Sequence, residues 1–199
     1  MNAPTQMIIG CDLETTGLEE CQDDILEIAL VAIETPTFKI IDSYSAVLKP
    51  SAFGMSRLAG NDFVLKMHEK SGLLDLVRGE KQHLLRECGG NARLEEAEEE
   101  AFAFYRKHMG PTEKSPMFGC NPNFDRSFLN VHMNKLERSF HYRNLDVNAL
   151  WLLREYVTGA DPTRAKAGTT HRALADCEQA VANVHEHFSW MQELLKAVA

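Results

Sequence analysis

Five residues of this chain have side chains that could together perform metal-dependent hydrolysis. They are Asp12, Glu14, Asp125, His171 and Asp176. The first two follow an apolar run that predicts a β-strand. Because side chains alternate along a strand, an Asp-x-Glu pair directs both carboxylates to the same face. Two neighbouring carboxylates repel one another, and divalent cations relieve that repulsion. The sequence therefore predicts a site for hard divalent cations.

Strands and helices must bring these residues together from distant parts of the chain. Short apolar runs predict strands at 7–14, 25–33, 38–48, 117–120 and 142–147. Spacing and composition predict helices near 57–68, 72–87, 93–109, 124–136, 148–157 and from 170 to the end. Three strands in succession, followed by strands that alternate with helices, indicate a mixed sheet covered by helices. We see no repeat or linker and expect a single domain over residues 1–199.

The order and local context of the five residues resemble the DEDD-type 3′–5′ exonucleases of the subclass that uses a histidine. The matching segments are Gly10–Gly17, Gly119–Arg126 and Thr170–Asp176. The resemblance implies an α/β fold of ribonuclease H-like architecture, in which a mixed β-sheet is covered by α-helices. It also implies hydrolysis of phosphodiester bonds.

Metal-assisted phosphodiester cleavage uses two cations roughly 3.5–4 Å apart, one activating water and one stabilising the leaving oxygen. Mg²⁺ and Mn²⁺ prefer oxygen ligands. We expect Asp12, Glu14 and Asp176 to bind the first ion, with Asp12 bridging to the second. Asp125 is expected to hold that second ion, directly or through water. His171 is expected to reach water on the first ion and to act as general base, since imidazole accepts protons near neutral pH.

Nearly the whole chain is similar to one branch of these exonucleases, the oligoribonucleases. The similar segments are Asp12–Leu18, Ile25–Ala29, His68–Leu73, His141–Val147 and His171–Asp176. The resemblance implies that a homodimer trims very short RNA to mononucleotides. It implies that Leu18 and Phe63 sandwich the substrate bases and that His68 contacts the substrate backbone. Tyr142, reaching across from the partner subunit, and Arg143 would approach the 5′ phosphate.

Several positions depart from the branch's pattern. The family caps the 5′ phosphate with serine hydroxyls where this chain has Asn121 and Asn148, whose amides are bulkier donors. Pro122 stiffens the same loop and removes a backbone donor. Phe63 stands where tryptophan is common, so base stacking should be retained but reduced. These departures bear on how strictly dinucleotides are preferred, and the stretch from 81 to 91 is longer than is typical.

Charge bears on the length of the substrate. The chain of 199 residues has a net charge of -8, whereas proteins that bind long nucleic acids usually have a basic surface. Either metal ions and a few placed cations provide the binding, or the substrate has very few phosphates. Two alternatives remain open: a proofreading or end-trimming exonuclease for longer DNA or RNA, and a nucleic-acid-binding module that has lost catalysis.

Composition is typical of one soluble globular domain, with 44% hydrophobic and 25% charged residues. No apolar run is long enough to span a bilayer, and the first residues lack signal-peptide features. Five cysteines without a Cys-x-x-Cys pair are interpreted as buried thiols in a reducing compartment, so we expect a cytoplasmic protein. We interpret Asp146 as structural and the acidic run at 95–100 as a solvated helix face.

Overall fold

A mixed sheet forms the centre of the molecule. The computed structural model describes residues 6–79, 91–92, 94–159 and 170–198. Within these residues the strands are β1 (Gln6–Thr15), β2 (Ile25–Thr35), β3 (Lys39–Leu48), β4 (Asn91–Ala92), β5 (Met117–Gly119) and β6 (Asn144–Asp146). Their order in the sheet is β4-β3-β2-β1-β5-β6. The pairs β1–β2 and β2–β3 are antiparallel, while β1–β5, β5–β6 and β3–β4 are parallel.

Helices cover this sheet on both faces. The helices of the described residues are α1 (Ala52–Ala59), α2 (Asp62–Lys70), α3 (Leu73–Val77), α4 (Leu94–Met109), α5 (Pro122–His132), α6 (Asn134–Glu137), α7 (Val147–Thr158) and α8 (Ala173–Val198). One face of the sheet packs against α4, α5 and α6, and the other against α7 and α8. Helices α1 to α3 form a smaller apolar cluster with Leu26 and Val47. This arrangement confirms the predicted α/β class.

The alternation of side chains along β1 decides which helices the predicted acids meet. Ile9, Cys11 and Leu13 are buried in the cluster that contains α4 and α5. Ile8 is buried on the other face, against α7 and α8. Because the period of a strand is two, Asp12 and Glu14 share the face of Ile8. Both carboxylates are therefore directed toward the side of the sheet on which α8 packs.

The predicted strands are confirmed with small changes in their ends, but several helices differ. The predicted helix at 57–68 was wrong as one element, because it is two helices. The Ser51 side chain caps α1 by accepting the amide of Gly54, and the Asn61 side chain caps α2 by accepting the amide of Val64. Each cap satisfies a backbone N–H that lacks a partner inside its own helix. A second helix therefore begins after Asn61.

The other differences lie at element ends. Helix α5 begins at Pro122 rather than 124, as suits a proline in the first helical turn, and α6 follows it separately. Of the helix predicted at 72–87, the described part is α3 and a turn, while 80–87 lies outside the described residues. The long stretch from 81 to 91 falls outside them as well, except for Asn91. The two-residue strand β4 was not predicted. None of the described helices is both long and apolar enough to cross a membrane.

Candidate active site

The end of β1 and the start of α8 bring three of the predicted residues into one group. Ligand atoms of Glu14, His171 and Asp176 all lie within 4.8 Å of one another. Asp176 lies in the first turn of α8, where its Oδ1 accepts the backbone N–H of Thr170 at 3.2 Å. His171 has a φ of 50°, a left-handed conformation that non-glycine residues seldom adopt. The chain thus turns sharply between Thr170 and α8, and the turn places the imidazole beside Asp176.

Asp125 approaches the site from the opposite face of the sheet. It is buried on α5, and its Oδ1 accepts the backbone N–H of Leu13 at 2.9 Å. Strand β5 pairs with β1 at Ile9 and Gly10 but ends at Gly119. The amide of Leu13 therefore extends past the end of β5, and the Asp125 carboxylate supplies the acceptor. This bond fixes Asp125 next to β1 at Leu13, which is the residue between Asp12 and Glu14.

Burial raises the pKa of each of the four acids, and neighbouring carboxylates raise it further for Asp12, Glu14 and Asp176. Burial raises the pKa of Glu14 to about 8, with contributions from the charges of Asp176, Glu27 and Asp125. Burial raises the pKa of Asp125 to about 7. The pKa of Asp12 is also well above its usual range, first because of burial and then because of Asp125, Glu14 and Asp176. Burial likewise raises the pKa of Asp176.

These pKa shifts indicate what the four carboxyl groups can bind. Four carboxyl groups close enough to oppose one another's ionisation become stable anions when divalent cations share the site. Carboxylate oxygens are the ligands that Mg²⁺ and Mn²⁺ prefer. The residues present therefore fit divalent cations, and Asp12, Glu14, Asp125 and Asp176 are those that would hold them.

Glu27 and Arg172 anchor α8 to the sheet, and sequence analysis did not assign them this role. Glu27 on β2 is 2% exposed, and both of its oxygens accept bonds from the Arg172 guanidinium at 2.8–3.3 Å. Its Oε2 also accepts the backbone N–H of Ala173, the first residue of α8. Since Arg172 is next to His171, this pair fixes the turn that presents the imidazole. The feature of the sequence that could have indicated this role is a glutamate within the otherwise apolar run at 25–33.

His68 is buried, whereas its resemblance to the family implied contact with the substrate backbone. Its side chain on α2 is 0% exposed, so the structure does not bring it to the surface at which we expected it to contact substrate. Its Nε2 lies 2.9 Å from the carbonyl oxygen of Thr15, and its Nδ1 lies 3.9 Å from Oε2 of Glu14. A carbonyl only accepts, so Nε2 carries the proton of that bond. His68 therefore supports the end of β1 from behind Glu14.

Leu18 and Phe63 line a common cleft next to the acidic group. Their side chains are 74% and 77% exposed, and both border a cavity of about 720 Å³. Thr16 and Gly17 continue the lining from the end of β1. The cleft thus begins two residues after Glu14, and the structure brings together the two side chains expected to sandwich bases.

The residues expected near the 5′ phosphate lie around strand β6 and at the starts of α5 and α7. Tyr142 is 74% exposed, and the Arg143 guanidinium lies over its ring at 5.3 Å from the centroid. Asn121 has a φ of 58°, which asparagine adopts more readily than most residues. The backbone N–H groups of Asn121 and Asn148 both donate to Oδ1 of Asp146. Asp146 therefore caps α7 and connects its start to the residue that precedes α5, in agreement with the structural role predicted for it.

Comparison with known proteins defines first the class and then the family. No protein-family model matches the chain. In fold it resembles Escherichia coli exonuclease I solved with a dT13 oligonucleotide, with a TM-score of 0.58 and 14% identity over 96% of this chain. The chain spans 43% of exonuclease I. The fold is thus that of the exonucleases with a ribonuclease H-like sheet.

Sequence similarity is more specific than fold. The chain is 30% identical to the oligoribonuclease of Leifsonia xyli subsp. xyli over 187 residues, which are 91% of this chain and 82% of that protein. It is 32% identical to the oligoribonuclease of Pseudomonas putida, over 92% of this chain and 96% of that protein. The chain belongs to the oligoribonuclease family.

The raised carboxyl pKa values predict how stability depends on pH when metal is removed. An acid whose pKa is higher in the folded state than in the unfolded state stabilises the fold while it is protonated. For Glu14, that contribution is lost as pH rises toward about 8, and for Asp125 toward about 7. The melting temperature of the protein in a chelator should therefore fall between pH 5 and pH 8.5. Added Mn²⁺ should raise it more at pH 8.5 than at pH 5.

Two variants distinguish the loss of stability caused by ionisation of the buried acids from effects of titrating exposed groups. Glu14→Gln removes one ionising group and should flatten the decline of the melting temperature, whereas Glu193→Gln, at an exposed position on α8, should leave it unchanged. A melting temperature of the chelator-treated protein that stays constant or rises from pH 5 to pH 8.5 would contradict the predicted repulsion.

Proposed function

We propose that this protein is a 3′–5′ exonuclease that hydrolyses short single-stranded RNA or DNA oligonucleotides to nucleoside 5′-monophosphates. The observation that carries this function is the convergence of Glu14, His171 and Asp176 within 4.8 Å of one another, near a cleft onto which Leu18 and Phe63 are exposed. Family membership supports the same activity, since the oligoribonucleases are named for it. Exonuclease I, which shares the fold, was solved with single-stranded oligonucleotides.

Two divalent cations, Mg²⁺ or Mn²⁺, are proposed as cofactors. Asp12, Glu14 and Asp176 would hold one ion, and Asp125 with a bridging Asp12 would hold the other. When bound, the ions supply an activated water and stabilise charge on the leaving oxygen. The raised carboxyl pKa values support this assignment, because burial and, for Asp12 and Glu14, neighbouring carboxylates oppose an ionisation that bound cations would favour.

His171 is proposed as the general base. Its ring nitrogen lies within 4.8 Å of carboxylate oxygens of Glu14 and Asp176, so it borders the place where the attacking water is needed. An imidazole takes up a proton near neutral pH, which suits this role. Arg172 and Glu27 would hold the adjacent turn while the ring receives the proton.

Substrate is proposed to bind in two parts. Leu18 and Phe63 would enclose a base, which suits their exposure on one cleft. Tyr142 and Arg143 would approach the 5′ phosphate, and arginine is well suited to a terminal phosphate because its planar fork donates two parallel bonds. Asn121 and Asn148, which share the Asp146 carboxylate through their backbones, would donate their side-chain amides to the same phosphate. A contact of His68 with substrate remains a prediction that its buried position does not favour.

The assembly is proposed to be a homodimer of a single-domain chain. Helix α7 supports this, because it leaves four large apolar side chains exposed. These are Leu152, Leu153, Tyr156 and Val157. An apolar helix face of this kind is suited to contact with a second copy. A cytoplasmic location is also part of the proposal, and the free cysteines at 11, 21, 120 and 177 suit a reducing compartment.

A series of substrate lengths tests the proposed function. With Mn²⁺, the protein should release mononucleotides from a 5′-labelled two-nucleotide RNA faster than from a twenty-nucleotide RNA of the same composition. Its acidic surface offers little compensation for additional phosphates, so turnover should decline as length increases. Asp12→Ala should abolish release at all lengths and serves as the metal-site control. A clear preference for the longest substrate would instead identify an end-trimming exonuclease, and binding without any turnover would identify an inactive module.

The role of His171 predicts a change in both rate and pH dependence. Wild-type kcat should increase with pH, because only a neutral imidazole can accept the proton of the attacking water. His171→Ala should lower kcat by a factor on the order of 10² to 10⁴, the usual contribution of general-base catalysis, and should flatten that increase. The exposed His185 on α8 offers a matched control, because His185→Ala should change neither. Unchanged kcat and pH profile in His171→Ala would remove this residue from the mechanism.

Subunit mixing tests whether Tyr142 acts from the partner subunit. Tyr142→Ala and Asp12→Ala subunits should each be deficient alone. In a mixed dimer, the subunit with intact Asp12 receives Tyr142 from its partner, so one site is complete and activity returns. Mixing cannot restore activity if Tyr142 serves its own subunit or if the protein is a monomer. Analytical ultracentrifugation of the same samples measures the assembly directly.

A further inference from the structure

Phe53 borders the base cleft although sequence analysis did not select it. Its side chain is 60% exposed and lines the same 720 Å³ cavity as Leu18 and Phe63. Three large apolar side chains therefore stay in contact with solvent around one concave surface. Isolated exposed hydrophobic residues need no explanation, but their concentration in a cleft beside a catalytic group marks a binding surface.

The helical period of α1 explains why Phe53 faces the cleft. Residues three and four positions apart share a helix face, so Phe53, Ser56 and Arg57 lie together, and all three line the cavity. Gly54 and Leu58 occupy the other face and are the buried residues of α1. Packing of α1 thus depends on Gly54 and Leu58, which leaves the Phe53 ring available to a ligand.

Two contacts fix α1 to the loop that bears Leu18. The backbone N–H of Ser51 donates to Oδ2 of Asp24, and a Cβ at Gly54 would lie 2.2 Å from that same oxygen. Arg57 forms two bonds, at 2.9 and 3.0 Å, with the buried Asp23 carboxylate. The walls of the cleft are therefore held at a defined separation before substrate arrives, which reduces the entropic cost of binding.

The charge around the cleft determines which part of a nucleotide it accepts. Arg57 is the cation among its lining residues, and its charge is compensated by Asp23. Glu19 and Asp62 also line the cavity and add negative charge. Phosphate is therefore disfavoured there, whereas the uncharged face of a nucleobase meets apolar walls.

We propose that Phe53 is a substrate-binding residue that contacts a substrate base and makes the cleft three-sided. This inference rests on the proposed function and adds a residue to its substrate site. Aromatic contact with a base tolerates any base identity, because every base presents a π-face.

Steady-state kinetics on a dinucleotide test the proposal. Phe53→Ala should raise KM about tenfold, within the range found for removal of base–aromatic stacking, and should leave kcat within about twofold. Phe53→Trp should keep KM near the wild-type value. Leu195→Ala is the matched control, because Leu195 is an exposed apolar residue on α8, and it should change neither constant.

Substrates that lack one base make the test specific to stacking. Two dinucleotide analogues, each abasic at one position, are compared in wild type and Phe53→Ala. The substitution should have little effect on KM for the analogue that lacks the contacted base and its full effect on the other. An unchanged KM for the complete dinucleotide, or an equal increase with both analogues, would overturn the proposal. Failure of the wild-type protein to release mononucleotides would instead refute the proposed exonuclease function.

Discussion

Repulsion among buried carboxylates is the constraint on which the rest of this structure depends. The four acids of the site, Asp12, Glu14, Asp125 and Asp176, come from one strand and two helices. Burial raises the pKa of each, and neighbouring carboxylates raise it further for Asp12, Glu14 and Asp176. Attraction between these four acids cannot be what brings them together. Favourable contacts elsewhere must hold the three segments together, and divalent cations then convert the repulsion into binding.

The contacts that oppose this repulsion lie immediately around the acids. The Leu13 amide holds Asp125, the Thr170 amide holds Asp176, and the Glu27–Arg172 pair holds the start of α8. Removal of one partner from such a buried pair leaves a charge without compensation, which typically costs about 3 kcal/mol or more. A network of this kind fixes the acids in place whether they are protonated or bound to metal.

Local patterns in the sequence were sufficient to predict the fold class and to select the five candidate residues of the site. Strand alternation placed Asp12 and Glu14 on one face, and the structure brings Glu14 to His171 and Asp176. Two features could not be obtained this way. The partner of Glu27 is 145 residues away, and no local pattern specifies that pairing. The burial of His68 likewise depends on how α2 packs against the end of β1, which a motif does not show.

The division of the site into an acidic group and an apolar cleft explains why an acidic protein can bind nucleic acid. In the proposed complex, phosphates would approach the carboxylates only through cations, while Phe53, Leu18 and Phe63 would provide contact that needs no charge. Only three residues separate Glu14 from Leu18, so both kinds of contact would act on adjacent parts of one nucleotide. Each further phosphate of a longer strand would meet a chain with a net charge of -8. The binding free energy is therefore concentrated on the terminal nucleotides, which favours short substrates over long ones.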